Sequence, residues 1–249
     1  MGFNVTGDAY DRFMGRYSRL LAPQLADFAG VRTGERVLDV GSGPGALTTE
    51  LVARLGADAV TAVDPSPPFV EALHERLPGV SASQAAAEDL PFGDGEFDVT
   101  IAQLVVHFMK DPVAGLREMA RVTKPGGVIA ACVWDHAGER SPLAVFWTAA
   151  RQLDPNARDE SALAGAHEGH LAELMREAGL TGIEETLLEV PFGAESFDDW
   201  WEPFTLGVGP AGEYLATLEP DRALMLRDRA REILPAAPRA VAWTAKARV

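Results

Sequence analysis

From residue 37 onward the chain alternates short apolar runs with stretches whose apolar residues recur every three or four positions. The runs RVLDVG, AVTAVD, VSASQAA, FDVTIAQ and GGVIAACVW are β-branched or small, and each is bounded by turn residues, as strands are. Between them, 46–55, 67–77 and 112–122 read as helices, and Ser66 before Pro67 forms an N-cap followed by a first-turn proline. Strand and helix repeated in this order predict a parallel sheet with helices on both faces.

The flanks follow other patterns. Ahead of the first strand, DAYDRFMGRYSRLLAPQLADFAG is a helical lead that Pro23 is expected to break or bend. After the fifth strand, 136–167 is less regular, with a helix expected over 143–153. HLAELMREAGL then puts Leu171, Leu174, Met175 and Ala178 on one helical face, with Gly179 placed to end it. IEETLLEVPF reads as a strand, and RAVAWTAKARV alternates, with Val241, Trp243, Ala245, Ala247 and Val249 on one side. A helical insert over about 196–234 separates the two. The expected organisation is one domain over 1–249, with a helical lead at 1–34 and two insertions, 136–167 and 193–238, that form a lid over the substrate.

Composition narrows the partners. At 249 residues the chain buries a sizeable core without disulfides or metals. A net charge of −15 repels phosphate backbones and anionic lipid, so neither nucleic acid nor a membrane surface is expected as a partner. The single cysteine, Cys132, lies in an apolar run and is expected to be a buried small hydrophobe. No charged segment leads into an apolar stretch at the N-terminus, and no run approaches membrane-spanning length; a reducing, cytoplasmic setting is expected. The oligomeric state is left open.

The chemistry centres on ERVLDVGSGPGALTTEL, 35–51. A phosphate loop of the Walker type needs Lys-Ser/Thr after its last glycine, and here ALTTE follows. Gly41, Gly43 and Ala46 satisfy the dinucleotide pattern G-x-G-x-x-G/A, and Asp64 closes the second strand at about the ~20-residue distance of that motif. Glycines there admit any flat nucleoside ligand, and an acid at the second strand end grips any ribose diol.

Three further features tilt the balance. Asp39 extends the turn to D-x-G-x-G-x-G. The acidic turn AAAEDLPFGDGEFDVTIAQLVVHF leads into the fourth strand, and LREMARVTKPGGVIAACVWD carries a helix through Lys124-Pro125-Gly126-Gly127 into the fifth. Over about 10–134 this set resembles the class I S-adenosylmethionine-dependent methyltransferases, in particular the small-molecule branch that includes quinone-biosynthesis C-methyltransferases. The resemblance implies an α/β, Rossmann-like, doubly wound seven-stranded sheet whose last strand runs antiparallel between its neighbours. It also implies S-adenosylmethionine as cofactor and in-line methyl transfer to a small-molecule acceptor.

Carried onto these residues, the resemblance places the methionine moiety along Gly41, Ser42 and Gly43, beside Asp39. Asp64 is expected to hold the ribose hydroxyls, Pro65 to shape the adenosine turn, and the backbone of Ala87 and Glu88 to read the adenine. Relatives commonly carry an Asp where this chain has Ala86. Gln103 falls near the reactive methyl; Tyr10, Phe13 and Tyr17 are placed to close over the cofactor, and Arg16 to meet its carboxylate. His107, in VVHF, is the candidate catalytic base. Trp134, Trp200 and Trp201 are the candidate acceptor-binding residues, since aromatic walls exclude water. HEGH, at 167–170, lacks the two-His helical spacing of zinc enzymes, and no metal is expected. Two alternatives stand beside this reading: a nicotinamide-dependent oxidoreductase, which needs only the glycine turn and Asp64, and a cofactor-binding protein without catalysis.

Overall fold

The computed structural model describes residues 7–192 and 194–249; residues 1–6 of the expected lead, and Gly193, the first residue of the second expected insertion, lie outside them. The lead is α1 (Gly7–Tyr10), a π-helical turn (Asp11–Gly15) and α2 (Arg16–Ala29). The core follows as β1 (Val37–Val40), α3 (Ala46–Leu55), β2 (Val60–Asp64), α4 (Pro67–Arg76), β3 (Ser81–Gln84), β4 (Phe97–Gln103), α5 (Pro112–Val122) and β5 (Thr123–Trp134). Then come α6 (Ala144–Leu153), α7 (His170–Glu177), β6 (Thr181–Pro191), α8 (Phe197–Trp201), α9 (Gly209–Thr217), α10 (Pro220–Ile233) and β7 (Arg239–Arg248).

The strands form one seven-stranded sheet in the order β3-β2-β1-β4-β5-β7-β6. β1 to β5 pair in parallel, and β7 runs antiparallel to both β5 and β6. All four residues of β1 are buried, as expected of a central parallel strand covered on both faces. One face packs Leu21 and Leu25 of α2 with Leu47 and Leu51 of α3; the other packs Leu116 and Met119 of α5 with Leu171 and Met175 of α7. β7 divides its alanines between them, Ala240 and Ala242 to the first, Ala245 and Ala247 to the second. Its alternation therefore separates two buried faces rather than inside from outside.

Of the break or bend expected at Pro23, the break does not occur. Pro23 lies inside α2, which continues through it. A proline removes one helical hydrogen bond, and the fully buried stripe of Leu21, Leu25 and Ala26 outweighs that loss by tertiary packing. The irregularity falls upstream, at the π-helical turn.

Candidate active site

Where β1 and β4 lie side by side, the sheet's winding reverses, and the crevice beyond their carboxyl ends is the binding position of such sheets. The loop after β1 enters it through three left-handed glycines, Gly41, Gly43 and Gly45, with φ of +71°, +54° and +94°. The Gly41 and Ser42 amides donate to the Val63 carbonyl at 2.8 and 3.0 Å, stitching the loop to β2. A Cβ on Gly41 would lie 2.5 Å from Val105 Cγ2, so glycine is required there by contact as well as by φ.

Two carboxyls support this loop. Asp39, 1 % exposed, accepts a hydrogen bond from the Thr48 hydroxyl at 2.6 Å through Oδ2. Its Oδ1 is buried without a hydrogen-bond partner among the described residues. Burial pushes its pKa up to about 7, against the pull of the Thr48 hydrogen bond. Asp64 ends β2 and accepts from the backbone N–H groups of Gly43 and Ser66, each at 2.8 Å. Burial raises its pKa, and those two amides pull it back. A carboxylate has about four lone-pair sites, so roughly two stay available for a diol. The open glycine cradle, the orphaned oxygen of Asp39 and the spare acceptor capacity of Asp64 fit a nucleoside carrying an amino-acid tail.

In the turn after β3, Ala87 is buried and Ala86 exposed. The Glu88 carboxylate accepts from the amides of Lys110 and Asp111 at 2.7 and 3.2 Å, so it ties down the 110–111 turn. Pro65 is exposed beside Asp64, and its carbonyl accepts from the Gln84 side chain at 3.1 Å. Gln103 closes β4; its Nε2 donates to the Ser18 carbonyl at 3.1 Å, while Oε1 has no partner among the described residues. The next residue, Leu104, adopts φ +62°, a left-handed conformation costing about 1–3 kcal/mol for a non-glycine residue and typical of functional turns. His107 follows, with its ring centroid 3.9 Å from that of Phe108 and 5.9 Å from that of His136. Burial, reinforced by His136, holds its pKa well below the usual imidazole range, so the ring is neutral at pH 7.

Several expected residues sit elsewhere. Tyr17 is packed edge-on against Trp134 and Phe192, at 6.3 and 5.9 Å, in the core rather than over the glycine loop. Tyr10 takes that position, 3.9 Å from where a Gly43 Cβ would be. Arg16 is engaged by both oxygens of Asp199, at 3.1 and 3.0 Å, rather than held for a ligand carboxylate. Trp200 and Trp201 pack with Phe204 in an aromatic core of the helical cap, while Trp134 lines the adjoining cavity. The rings of His167 and His170 stack at 4.4 Å, and His170 Nδ1 accepts from the Gly165 amide, a structural role. Cys132 is fully buried, and burial raises its thiol pKa to about 12. The sequence pattern did not single out His136 or Glu160, which join His107 on the cavity wall. They lie in the aperiodic segment after β5, where no spacing marks them.

Residues 38–131 match the family model of a methyltransferase domain. Among curated proteins, an uncharacterized methyltransferase of Mycobacterium tuberculosis is 36% identical over 140 residues, 56% of this chain and 54% of that protein. A ubiquinone/menaquinone biosynthesis C-methyltransferase of Bdellovibrio bacteriovorus is 34% identical over 113 residues, 43% of this chain and 47% of that protein. The chain thus spans about half the length of the curated relatives it matches. Among solved structures, a Haemonchus contortus phosphoethanolamine N-methyltransferase in complex with phosphomonomethylethanolamine and S-adenosylhomocysteine superposes with a TM-score of 0.60 at 17% identity, covering 100% of this chain and 61% of that one. The matched segment is that of a methyltransferase domain, and the chain shares the fold of the superposed structure.

Proposed function

We propose, with residues 38–131 taken as a methyltransferase domain, that this chain transfers a methyl group from S-adenosylmethionine to a small-molecule acceptor. The observation that carries this reading is the convergence of Asp39 and Asp64 on three left-handed glycines at the sheet's winding reversal. When bound, S-adenosylmethionine supplies a methyl already activated on a positive sulfur, so the protein's main task is alignment. Gly41, Ser42 and Gly43 keep the backbone open for the amino-acid tail, and Asp64 accepts the ribose hydroxyls. Ala87 and Glu88 meet the base through their main chains. Gln103 and Leu104, fixed at the end of β4, hold the adjoining wall, and neutral His107 takes the proton of an acceptor that must lose one. Holding donor and acceptor in line contributes up to ~7–11 kcal/mol in favourable cases. The helices of 136–167 and 193–238 exclude water from that alignment, and Trp134 lines the acceptor side.

A small-molecule acceptor is supported by the quinone-biosynthesis relative and by the net charge of −15, which opposes nucleic acid. Among the described residues, no helix is long and apolar enough to cross a membrane. Calorimetric titration with S-adenosylhomocysteine tests the reading: micromolar binding is expected. Replacing Asp64 with Ala removes two charge-assisted hydrogen bonds of ~1.5–3 kcal/mol each and weakens binding at least ~100-fold. Heat from NADH and none from S-adenosylhomocysteine would instead favour an oxidoreductase.

A further inference from the structure

The two most exposed large apolar side chains among the described residues stand side by side on one helix: Leu224 and Met225 of α10, at 56% and 57% exposure. On its other sides α10 is held to the rest of the cap. Leu226 and Ala230 are fully buried, and the helix packs on α6. Arg227 and Arg231 both donate to Asp198 of α8 and lie over the Phe197 ring. The remaining face carries Asp221, Met225, Asp228 and Arg229, at the three- and four-residue spacing of neighbours on a helix surface, with Arg222 and Leu224 on its flanks. Met225 also forms one wall of an apolar groove completed by Leu153, Tyr214 and Leu218.

The charges on this face match a second copy of the same helix run antiparallel. In an isologous pair, a two-fold axis through Met225 sets Met225 on Met225, Asp221 opposite Arg229 and Arg222 opposite Asp228, each charge contact being made twice. Moving the axis half a residue one way opposes Asp221 to Asp228; half a residue the other way opposes Arg222 to Arg229. Of these three registers, the one centred on Met225 alone joins opposite charges. Within one chain the charges are largely unspent. Asp221, Arg222 and Asp228 make no ion pair among the described residues, and Arg229 is bound to Glu232 of its own helix. Two copies at −15 each repel one another overall, whereas on this face two aspartates and two arginines cancel.

We propose that α10 is the contact surface of a symmetric dimer, in which the Met225 side chains meet on the axis beside the Leu218 groove, flanked by two Asp221–Arg229 and two Arg222–Asp228 pairs. Burial of an unbranched, polarizable methionine against an apolar groove supplies attraction, and the charges set direction and register. The patch is one helix wide, so a reversible dimer with a dissociation constant of about 1–100 µM is expected rather than an obligate one. The pairing joins the caps of the two copies through their outer faces and does not depend on the methyl-transfer reading.

Sedimentation equilibrium of the full chain over about 1–300 µM tests this, and wild type is expected to show a monomer–dimer equilibrium in that range. Arg222→Asp and Asp228→Arg each turn two attractive contacts into repulsive ones, and each should weaken the dimer at least about tenfold. Met225→Glu sets two carboxylates on the axis and should abolish it over the same range. The decisive sample is a mixture. The two charge-reversed variants should pair with each other in equal amounts far better than either pairs with itself, because each supplies the charge the other lacks. A double variant carrying both reversals should return to within about threefold of wild type. The altered side chains are exposed, so melting temperatures should not change, and pairing restored in the mixture cannot come from unfolded chains. A wild-type chain that stays monomeric throughout the range overturns the proposal. So does a dimer that survives both single reversals, or a mixture that associates no better than its components.

Discussion

The Asp39 carboxyl lies beneath the glycine loop with one oxygen held by Thr48 and the other unpartnered, and burial lifts its pKa to about 7. An unfolded aspartate titrates near ~3.9, so between the two values the folded chain binds more protons. By linkage, this residue makes stability fall as pH rises through that window, with the full penalty present above about pH 7. Asp39→Asn keeps an oxygen for Thr48 and removes the charge. The expected outcome is a higher melting temperature than wild type at pH 8, a smaller difference at pH 5, and a flatter pH profile between. Glu160, also raised to about 7 by burial, contributes in the same direction, so the slope is reduced rather than abolished. A variant that melts lower than wild type at pH 8, by scanning calorimetry without ligand, would contradict this account.

The turn joining β1 to α3 combines two demands on one residue. Gly41 has φ +71° and no room for a Cβ against Val105. Gly30, capping α2 at φ +75°, shares the conformation but has nothing within 4 Å of its Cβ position. Gly30→Ala should therefore lose only the ~1–2 kcal/mol of the left-handed penalty and leave ligand affinity untouched. Gly41→Ala should displace the loop, lower stability further and weaken S-adenosylhomocysteine at least ~100-fold; similar affinities for the two variants would show that the close approach to Val105 is unimportant. Elements of this kind were legible in the sequence because their signals are local. The boundaries of α3 and α5, 46–55 and 112–122, are those read from periodicity and turn residues. Pro23 does not break α2 because the forces that keep the helix intact there are distant in sequence: Leu21 and Leu25 are buried against the sheet and α3. Likewise, alternation in β7 does not reveal that its neighbours cover both faces.

Across the whole molecule, the two ends of the candidate site differ in how they are built. The cofactor end comes from consecutive strand termini, so Asp39, the glycines and Asp64 carry a recognisable spacing. The adjoining cavity joins residues near 10, 107, 136, 160 and 210, which share no period and meet only because the lead and both insertions fold back over β4 and β5. What holds these parts together is also long-range. Arg16 binds Asp199 with both carboxylate oxygens, and Arg12 reaches Glu202 at 2.5 Å, fastening the lead to the cap around α8. The Arg16 guanidinium holds the Asp199 carboxyl below its usual pKa, so the pair's contribution is present above about pH 4 and fades as pH falls through the lowered value. Both partners are partly solvated, with side chains 18% and 40% exposed, which limits the effect on global stability to about 1 kcal/mol. The consequence is local: Arg16→Ala should leave the melting temperature nearly unchanged while hydrogen exchange over 197–206 accelerates several-fold. Asp199→Asn should reproduce the faster exchange at pH 7, and acidifying the wild-type chain below pH 4 should approach it. Unchanged exchange in both variants would mean that the aromatic packing of Trp200, Trp201 and Phe204 alone keeps the cap closed, and that the lead is not its fastening.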